Sequence, residues 1–241
     1  MNDPLRLLIH GASGRMGQAL LRLSSGAPQA WQVVAAVGGR QPQQRVVEGV
    51  AHFAAAELSG VPDFDVAIDF SLPEGLDRVL ALCQARQRPL LSGTTGLSGP
   101  RHQALQSAAA SIPVLWASNF SLGVAVLEDL VERAARALPG WDCDIVESHH
   151  VHKKDAPSGT ALSLGESAMR GGGDPRYASL RAGDIIGEHL VQFSGQGERL
   201  ELVHRAGNRD IFARGALQAA SRLAAAGPGL HTLRGLLFGA G

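Results

Sequence analysis

A glycine-rich turn near the N-terminus constrains the fold more than any other feature of the sequence. The apolar run Leu5–His10 predicts a strand, the segment Gly11-Ala12-Ser13-Gly14-Arg15-Met16-Gly17 follows directly, and apolar residues from Met16 to Leu23 recur at helical spacing. A strand, a tight turn and a helix N-terminus are typical of a dinucleotide site, because the turn brings backbone amides to a pyrophosphate. The pattern G-x-x-G-x-x-G is one residue away from G-x-G-x-x-G, so an ordinary turn that needs positive φ stays open as an alternative.

Short apolar strands then alternate with helical patterns. Strands are predicted at 31–37, 65–70, 89–92 and 113–117, and helices at 73–86, 99–111 and 122–138. Residues 38–62 carry only weak structural signals. The alternation predicts an α/β fold with a doubly wound parallel sheet of the Rossmann type, because right-handed crossovers place helices on both faces of the sheet.

The pattern changes near Trp141. A strand is predicted at 144–148 and a helix at 159–170, and glycines separate short alternating segments at 185–186, 189–193 and 200–203. These segments predict a mixed or antiparallel sheet, and a helix is predicted again from Asp210 to about residue 225. We therefore predict a dinucleotide-binding domain of residues 1–121 and 210–241, with a smaller α+β domain of mixed sheet, residues 122–209, inserted before the last helix.

Composition excludes several classes of protein. Lys+Arg and Asp+Glu both number 22, so the net charge of zero argues against a nucleic-acid binder. No apolar run reaches the ~18–20 residues of a bilayer span, which predicts no membrane association. Met1-Asn2-Asp3-Pro4 lacks the basic start of a secretory signal, which predicts a cytoplasmic protein. Cys83 and Cys143 lie far apart, which argues against a disulfide scaffold or a zinc ribbon.

The end of the second predicted strand bears on the cofactor. Sites for NAD often place an acid about 20 residues after the glycine turn, whereas this strand ends in Val37-Gly38-Gly39-Arg40. A carboxylate would repel a ribose 2′-phosphate, while the guanidinium of Arg40 can bind it with paired donors. The sequence therefore favours NADPH, with NADH as a second donor still open, and a solvated Arg40 is the alternative.

Two further motifs follow strands of the same predicted sheet. Gly93-Thr94-Thr95-Gly96 comes after the strand at 89–92, and Asn119-Phe120-Ser121 after the strand at 113–117. The carboxyl ends of parallel strands meet at one edge, where ligands bind, although each motif alone is also consistent with an ordinary turn or cap.

The segment from Glu147 to Ala161, ESHHVHKKDAPSGTA, carries the densest chemistry. It holds three of the nine histidines and both lysines of the chain, Lys153 and Lys154. Three interpretations compete: a metal site, a solvated charged loop, and a catalytic loop in which histidine supplies a proton and lysine binds an anion. Pro157-Ser158-Gly159-Thr160-Ala161 favours the catalytic loop, because Ser158 can cap the following helix and small residues leave its first amides open to a carboxylate.

These residues resemble the dihydrodipicolinate reductase family, which acts in bacterial diaminopimelate and lysine biosynthesis. The segment E-S-H-H-x-H-K-x-D-A-P-S-G-T-A matches the family signature. Five other motifs occur along the chain in the family's order. They are G-A-S-G-R-M-G, I-D-F-S-x-P-E-G, G-T-T-G, N-F-S-x-G-V and R-A-G-D-I-x-G-E-H. The resemblance covers nearly the whole chain.

The resemblance implies a role for each matching residue. His149 is implied as the general acid, acting with Lys153, in the NAD(P)H-dependent reduction of 4-hydroxy-tetrahydrodipicolinate to tetrahydrodipicolinate. The residues implied to bind the dicarboxylate substrate are His150, Lys153, Ser158, Gly159 and Thr160. Those implied or inferred to bind the cofactor are Gly11, Ser13, Gly14, Arg15, Met16, Gly17, Arg40, Phe70, Gly93, Thr95, Asn119, Phe120 and Arg209. The family also implies that residues 122–209 bind substrate and join a homotetramer.

The chain departs from the family pattern in four places, one of which is that the segment 38–62 is compact compared with the usual. Arg170 to Tyr177 replaces a longer loop, which bears on tetramer contacts. Leu72 stands where many members have arginine, and Gly38 where many have an acid.

Two other functions remain as alternatives. One is a reductase of another small dicarboxylate, and the other is a nucleotide-sensing regulator of the same fold. A regulator could dispense with His149 and Lys153, yet both are present.

Overall fold

The computed structural model describes residues 3–239. Met1 and Asn2 lie outside the described residues, and so does their part of the segment Met1-Asn2-Asp3-Pro4, on which the expectation of no secretory signal is based. The last two residues of the predicted first domain also lie outside the described residues. The chain divides into two compact units, one holding the described residues up to Phe120 and from Phe212 onward, the other Ser121–Ile211. Between residues 3 and 239 no helix is long and apolar enough to cross a bilayer.

The strands and helices alternate through most of the chain. The strands are β1 Leu5–His10, β2 Trp31–Gly38, β3 Val46–Val47, β4 Val50–Ala54, β5 Val66–Asp69, β6 Leu90–Ser92, β7 Pro113–Trp116, β8 Asp142–His149, β9 Pro175–Arg181, β10 Glu188–Gly195, β11 Glu198–Arg205 and β12 Gly229–His231. The helices are α1 Arg15–Ser25, α2 Pro73–Arg86, α3 Gly99–Ala108, α4 Leu122–Ala137, α5 Gly159–Arg170, α6 Asp210–Leu223 and α7 Leu233–Phe238. A 3-10 helix spans Ala55–Gly60.

The first unit contains an eight-stranded sheet in the order β12-β7-β6-β5-β1-β2-β4-β3. Its neighbouring strands are parallel except for the antiparallel pair β3–β4. The order runs outward in both directions from β1 and β5, so the predicted doubly wound fold is confirmed. Ligands of such sheets bind where the order reverses, and here the glycine turn after β1 lies at that position.

The second unit contains a four-stranded sheet in the order β11-β10-β8-β9. β8 runs parallel to β9 and antiparallel to β10, so the predicted mixed sheet is also confirmed. Alternate residues of β8 and β10 are buried, which is the period of a strand with one covered face. Apolar residues of α4 and α5 share a core with these strands, including Val131, Leu164, Ile145 and Phe193.

Three expectations about secondary structure are wrong. Ile185 and Ile186 form no strand, because Gly183 takes a φ of +51° and the chain turns between β9 and β10. Pro175 to Tyr177, expected to be the end of a shortened loop, instead begin the strand β9, since they pair with β8. The helix at Asp210 is not the last one, because β12 and α7 follow it, with the Thr232 hydroxyl capping α7.

Candidate active site

The glycine turn after β1 requires its first and third glycines. Gly11 has a φ of +79°, and a Cβ atom there would lie 2.4 Å from the carbonyl oxygen of Phe70. A Cβ atom on Gly17 would lie 2.4 Å from the Gly11 carbonyl oxygen. Gly14 caps α1 without any side-chain hydrogen bond, so the first amides of the helix stay available to an anion.

Two cavities adjoin this turn and share Ser13 and Gly39. The larger, of about 480 Å³, is lined among others by Arg40 and His52, and the smaller, of about 390 Å³, by Gly11, Gly14 and Phe70. Their volumes lie in the range of cofactor pockets. The turn has room for a ligand only because glycines occupy it, its first helical amides have no side-chain cap, and two cavities adjoin it. These features fit a nicotinamide dinucleotide.

A buried carboxylate organises the carboxyl edge of the first sheet. Asp69, at the end of β5, accepts hydrogen bonds of 2.8 Å from the hydroxyls of Ser92 and Thr94, and its Oδ1 lies 2.7 Å from His10 Nδ1. Burial raises the pKa of the Asp69 carboxyl, but the contacts with His10, Ser71 and Thr94 lower it by more, so it lies below its usual value. The network fixes the loop that follows β6.

The predicted nicotinamide residues are placed unevenly around this edge. Phe70 and Phe120 meet edge to face with ring centroids 5.6 Å apart, and a Cβ atom on Gly93 would lie 2.1 Å from the Phe70 ring. Asn119 is half-buried and Thr95 is exposed, whereas its neighbour Thr94 is buried. Thr94 therefore stabilises the loop from inside, and Thr95 lies on the surface of the loop.

The remaining predicted cofactor residues are mostly exposed. Arg15 is exposed at the start of α1, Met16 beside it is half-buried, and Arg40 is exposed on the wall of the larger cavity. Arg209 is exposed directly before α6 and belongs to the second unit.

A second buried carboxylate lies at the end of β8. Both oxygens of Glu147 accept hydrogen bonds from the Arg181 guanidinium, at 2.8 and 3.0 Å, and Oε1 also accepts the Ser158 backbone N–H at 3.3 Å. Burial raises the pKa of Glu147, but hydrogen bonds from Arg181, Ser179 and His149 outweigh it and lower the pKa to about 2.

His149 lies two residues further along the same face of β8. Its Nδ1 is hydrogen-bonded to Glu147 Oε2, which leaves Nε2 for another partner. A Cβ atom on Gly187 would lie 3.1 Å from that Nε2, so glycine keeps space beside it. Burial lowers the pKa of His149, and the Glu147 carboxylate opposes this effect. A carboxylate on one ring nitrogen and space beside the other is an arrangement suited to proton transfer.

The N-terminus of α5 contacts the same carboxylate. Ser158 caps the helix as predicted, since its hydroxyl accepts the Ala161 N–H at 3.2 Å. Gly159 is exposed with open space where a side chain would stand, and Thr160 is half-buried. The backbone amides at this helix start can therefore meet an anion.

The two remaining predicted residues lie in the loop before α5. Lys153 Nζ lies 2.8 Å from both carboxylate oxygens of Asp155, and His150 is half-buried. Arg181 contacts this loop as well as Glu147, because it donates to the carbonyl oxygen of Lys153 at 3.3 Å and to that of Asp155 at 2.6 Å. The described residues contain no group of three or more His, Cys, Asp or Glu side chains that could hold a metal ion.

Sequence reasoning assigned no role to Glu147, Arg181 or His189. Glu147 stands two residues before His149, and the alternation of a strand could have placed both on one face. Arg181 and His189 begin and end the R-A-G-D-I-x-G-E-H motif, so the motif was visible although the contacts of these two residues were not.

Comparison with known proteins gives a consistent result over nearly the whole chain. Residues 5–120 match the family model described as the dihydrodipicolinate reductase N-terminus, and residues 123–237 match the model of its C-terminus. Proteins named 4-hydroxy-tetrahydrodipicolinate reductase are 72% identical in Stenotrophomonas maltophilia (97% of this chain, 98% of the relative) and 65% identical in Xanthomonas campestris pv. campestris (98% and 99%).

Solved structures show the same fold at lower identity. A dipicolinate-bound dihydrodipicolinate reductase from Paenisporosarcina sp. TG-14 superposes with a TM-score of 0.79 at 21% identity, covering 95% of this chain and 97% of that one. A DAP dehydrogenase from C. glutamicum gives a TM-score of 0.63 at 14% identity, with 97% and 94% covered.

Acid titration tests the Glu147 network. The folded-state pKa is depressed, so the stability that Glu147 contributes is present above about pH 4.5, the ordinary value of the group, and is lost as the pH falls toward about 2. We expect the free energy of unfolding of the wild type to exceed that of Glu147→Gln by about 3–5 kcal/mol at pH 6 and by progressively less as the pH falls through 3.5. Urea unfolding at several pH values measures this, and a difference that does not change with pH would contradict the assignment.

Proposed function

As a member of the dihydrodipicolinate reductase family, the chain is an NAD(P)H-dependent oxidoreductase that reduces 4-hydroxy-tetrahydrodipicolinate in the diaminopimelate and lysine pathway, and we propose that His149 is its general acid. The bound nicotinamide cofactor supplies the hydride. His149 supplies the proton from Nε2, the nitrogen that Glu147 does not occupy. The observation that carries this proposal is the Glu147–His149 pair beside the capped start of α5.

Glu147 and burial act on the proton of His149 in opposite directions. The carboxylate holds the ring with Nε2 outward and stabilises the imidazolium, while burial favours the neutral ring. Burial has the larger effect, so the pKa of His149 lies below its ordinary value. Once the ring is protonated, the imidazolium therefore gives up its Nε2 proton more readily than an ordinary one to a developing carbanion of the substrate.

The substrate carries two carboxylates, and the second unit offers partners for both charges. Ser158, Gly159 and Thr160 present hydroxyls and amides at the start of α5, where the helix dipole also favours an anion. Lys153 and His150 supply the other contacts. The ammonium of Lys153 exchanges its exposed partner Asp155 for a substrate carboxylate, and an exposed ion pair of this kind costs about 0–1 kcal/mol to break.

The first unit holds the cofactor. Gly11, Gly14 and Gly17 keep the turn open for the pyrophosphate, with Ser13, Arg15 and Met16 around it. Phe70, Gly93, Thr95, Asn119 and Phe120 would line the nicotinamide pocket. Arg209 would be a further cofactor-binding residue, as the family resemblance implies. Arg40 binds the 2′-phosphate of NADPH, which is preferred over NADH because no carboxylate stands beside Arg40 in the segment Gly38-Gly39-Arg40.

The second unit is the substrate-binding and oligomerisation domain, and the protein is a homotetramer in the cytoplasm. The sheet face opposite α4 and α5 supports this assembly, since Leu180 is 55% and Val203 44% exposed. Such apolar side chains on a sheet face are typical of an interface. Light scattering of the whole chain is expected to give four times the mass of 25.2 kDa, and a monomer at micromolar concentration would contradict the assembly.

Substitution of His149 tests the acid. We expect His149→Gln to lower kcat by about 10²–10⁴-fold and to change KM only a few-fold, because the Gln amide can hydrogen-bond but its protons are not acidic enough to be transferred. The oxidation of NADPH with freshly generated substrate measures both constants. The exposed neighbour His152 provides the control, since His152→Gln should leave kcat unchanged. Normal turnover in His149→Gln would exclude the assignment.

Substitution of Arg40 tests cofactor preference. Arg40→Ala should raise the KM for NADPH about tenfold, as expected for the loss of a charged hydrogen bond, and leave the KM for NADH unchanged. NADH serves as the internal control because it lacks the 2′-phosphate. Equal effects on both cofactors would show that Arg40 does not read this phosphate.

A further inference from the structure

His189 is a buried histidine that the reaction described above does not use. It lies on β10 directly opposite Glu147 of β8, and only 4% of its surface is exposed. Its Nε2 lies 3.2 Å from the Ser158 hydroxyl, while its Nδ1 is buried and has no hydrogen-bond partner among residues 3–239. A buried polar ring with one satisfied nitrogen calls for an explanation.

The Ser158 hydroxyl has one proton to donate and two lone pairs to accept with. One lone pair accepts the Ala161 N–H at 3.2 Å, which is the helix cap. If His189 is protonated on Nε2, it donates to the second lone pair of the Ser158 hydroxyl. If His189 is protonated on Nδ1, its Nε2 accepts the hydroxyl proton instead. The tautomer of His189 therefore decides whether Ser158 can donate to anything else.

The buried Nδ1 favours one of the two tautomers. A proton on Nδ1 would be a donor without an acceptor, whereas a proton on Nε2 leaves Nδ1 as a bare acceptor. Buried donors without a partner are rarer in proteins than buried acceptors with a free lone pair. Burial and the neighbouring histidines also lower the pKa of His189 to about 4, so the ring is neutral at physiological pH.

We infer that His189 is a positioning residue that donates its Nε2–H to Ser158 and so directs the single Ser158 hydroxyl proton toward a substrate carboxylate. Both lone pairs of Ser158 are then filled, by Ala161 and by His189, and the hydroxyl acts only as a donor. This inference rests on the proposed binding of a carboxylate by Ser158. His189 itself touches no reacting atom.

The chain contains a matched histidine for comparison. His204 on β11 is the register partner of His189, its Nε2 lies 3.4 Å from the hydroxyl of Ser121, and its Nδ1 is also buried without a partner in the described chain. Ser121 caps α4 rather than α5. A substitution of His204 therefore disturbs a neighbouring ring and a helix cap without touching Ser158.

Binding of pyridine-2,6-dicarboxylate to the whole protein with NADPH present tests the inference by calorimetry. We expect His189→Leu and His189→Asn to raise the Kd about five- to tenfold, because neither retains a donor at the Nε2 position. His189→Gln should return the Kd to within about twofold of the wild type, since the Gln amide N–H reaches the same position. His204→Asn should leave the Kd unchanged. Equal weakening by Gln and Asn, or weakening by His204→Asn, would overturn the inference.

A double-mutant cycle separates this inference from the proposed function. If His189 acts through Ser158, His189→Leu should add nothing to the effect of Ser158→Ala, whereas a merely structural role gives additive effects. An unchanged Kd in Ser158→Ala would contradict the proposed carboxylate site itself. A raised Kd in Ser158→Ala together with a normal Kd in His189→Leu would contradict only the role of His189.

The tautomer can also be observed directly. Two-bond ¹H–¹⁵N spectra of the ¹⁵N-histidine-labelled protein distinguish a protonated Nε2 from a protonated Nδ1, and the signal missing from His189→Asn identifies the ring. We expect protonation at Nε2, and protonation at Nδ1 would overturn the inference.

Discussion

The hydrogen bonds to the buried carboxylate of Glu147 hold together the site in the second unit. A buried carboxylate without partners would cost several kcal/mol, and here Arg181, His149 and the Ser158 amide all donate to it. Because these donors come from β8, β9 and the start of α5, one charge fixes the His149 ring, the helix cap and, through Arg181, the loop that carries Lys153. Asp69 joins β1, β5 and β6 in the first unit in the same manner.

The fold could be predicted where local pattern and tertiary context agree. The strand, glycine turn and helix at the N-terminus are such a case, since buried parallel strands are apolar throughout and the turn residues have few alternatives. β9 could not be predicted because its residues are mostly exposed and its pairing with β8 supplies the order. β12 and its pairing with β7 were missed for a related reason, since three residues carry too little periodicity.

The candidate site could be predicted as a set of residues but not as a set of contacts. The family signature supplied His149, Lys153 and Ser158, and the structure places His149 and Ser158 against one carboxylate. The partner of that carboxylate, Arg181, comes from another strand, and no local spacing relates it to Glu147. The same limit applies to His189, whose importance depends on a single unpartnered nitrogen that only a three-dimensional structure shows.

The position of β12 has a consequence for the order in which the chain can fold during synthesis. β7 is complete at Trp116, but its outer neighbour begins only at Gly229, after the whole of the second unit. At the usual rate of ~5–20 residues per second, a ribosome exposes the edge of β7 for on the order of ten seconds before β12 emerges. The second unit can fold in that interval, whereas the edge of β7 keeps unpaired backbone N–H and C=O groups until β12 is made. Such an edge can pair with a strand of another nascent chain.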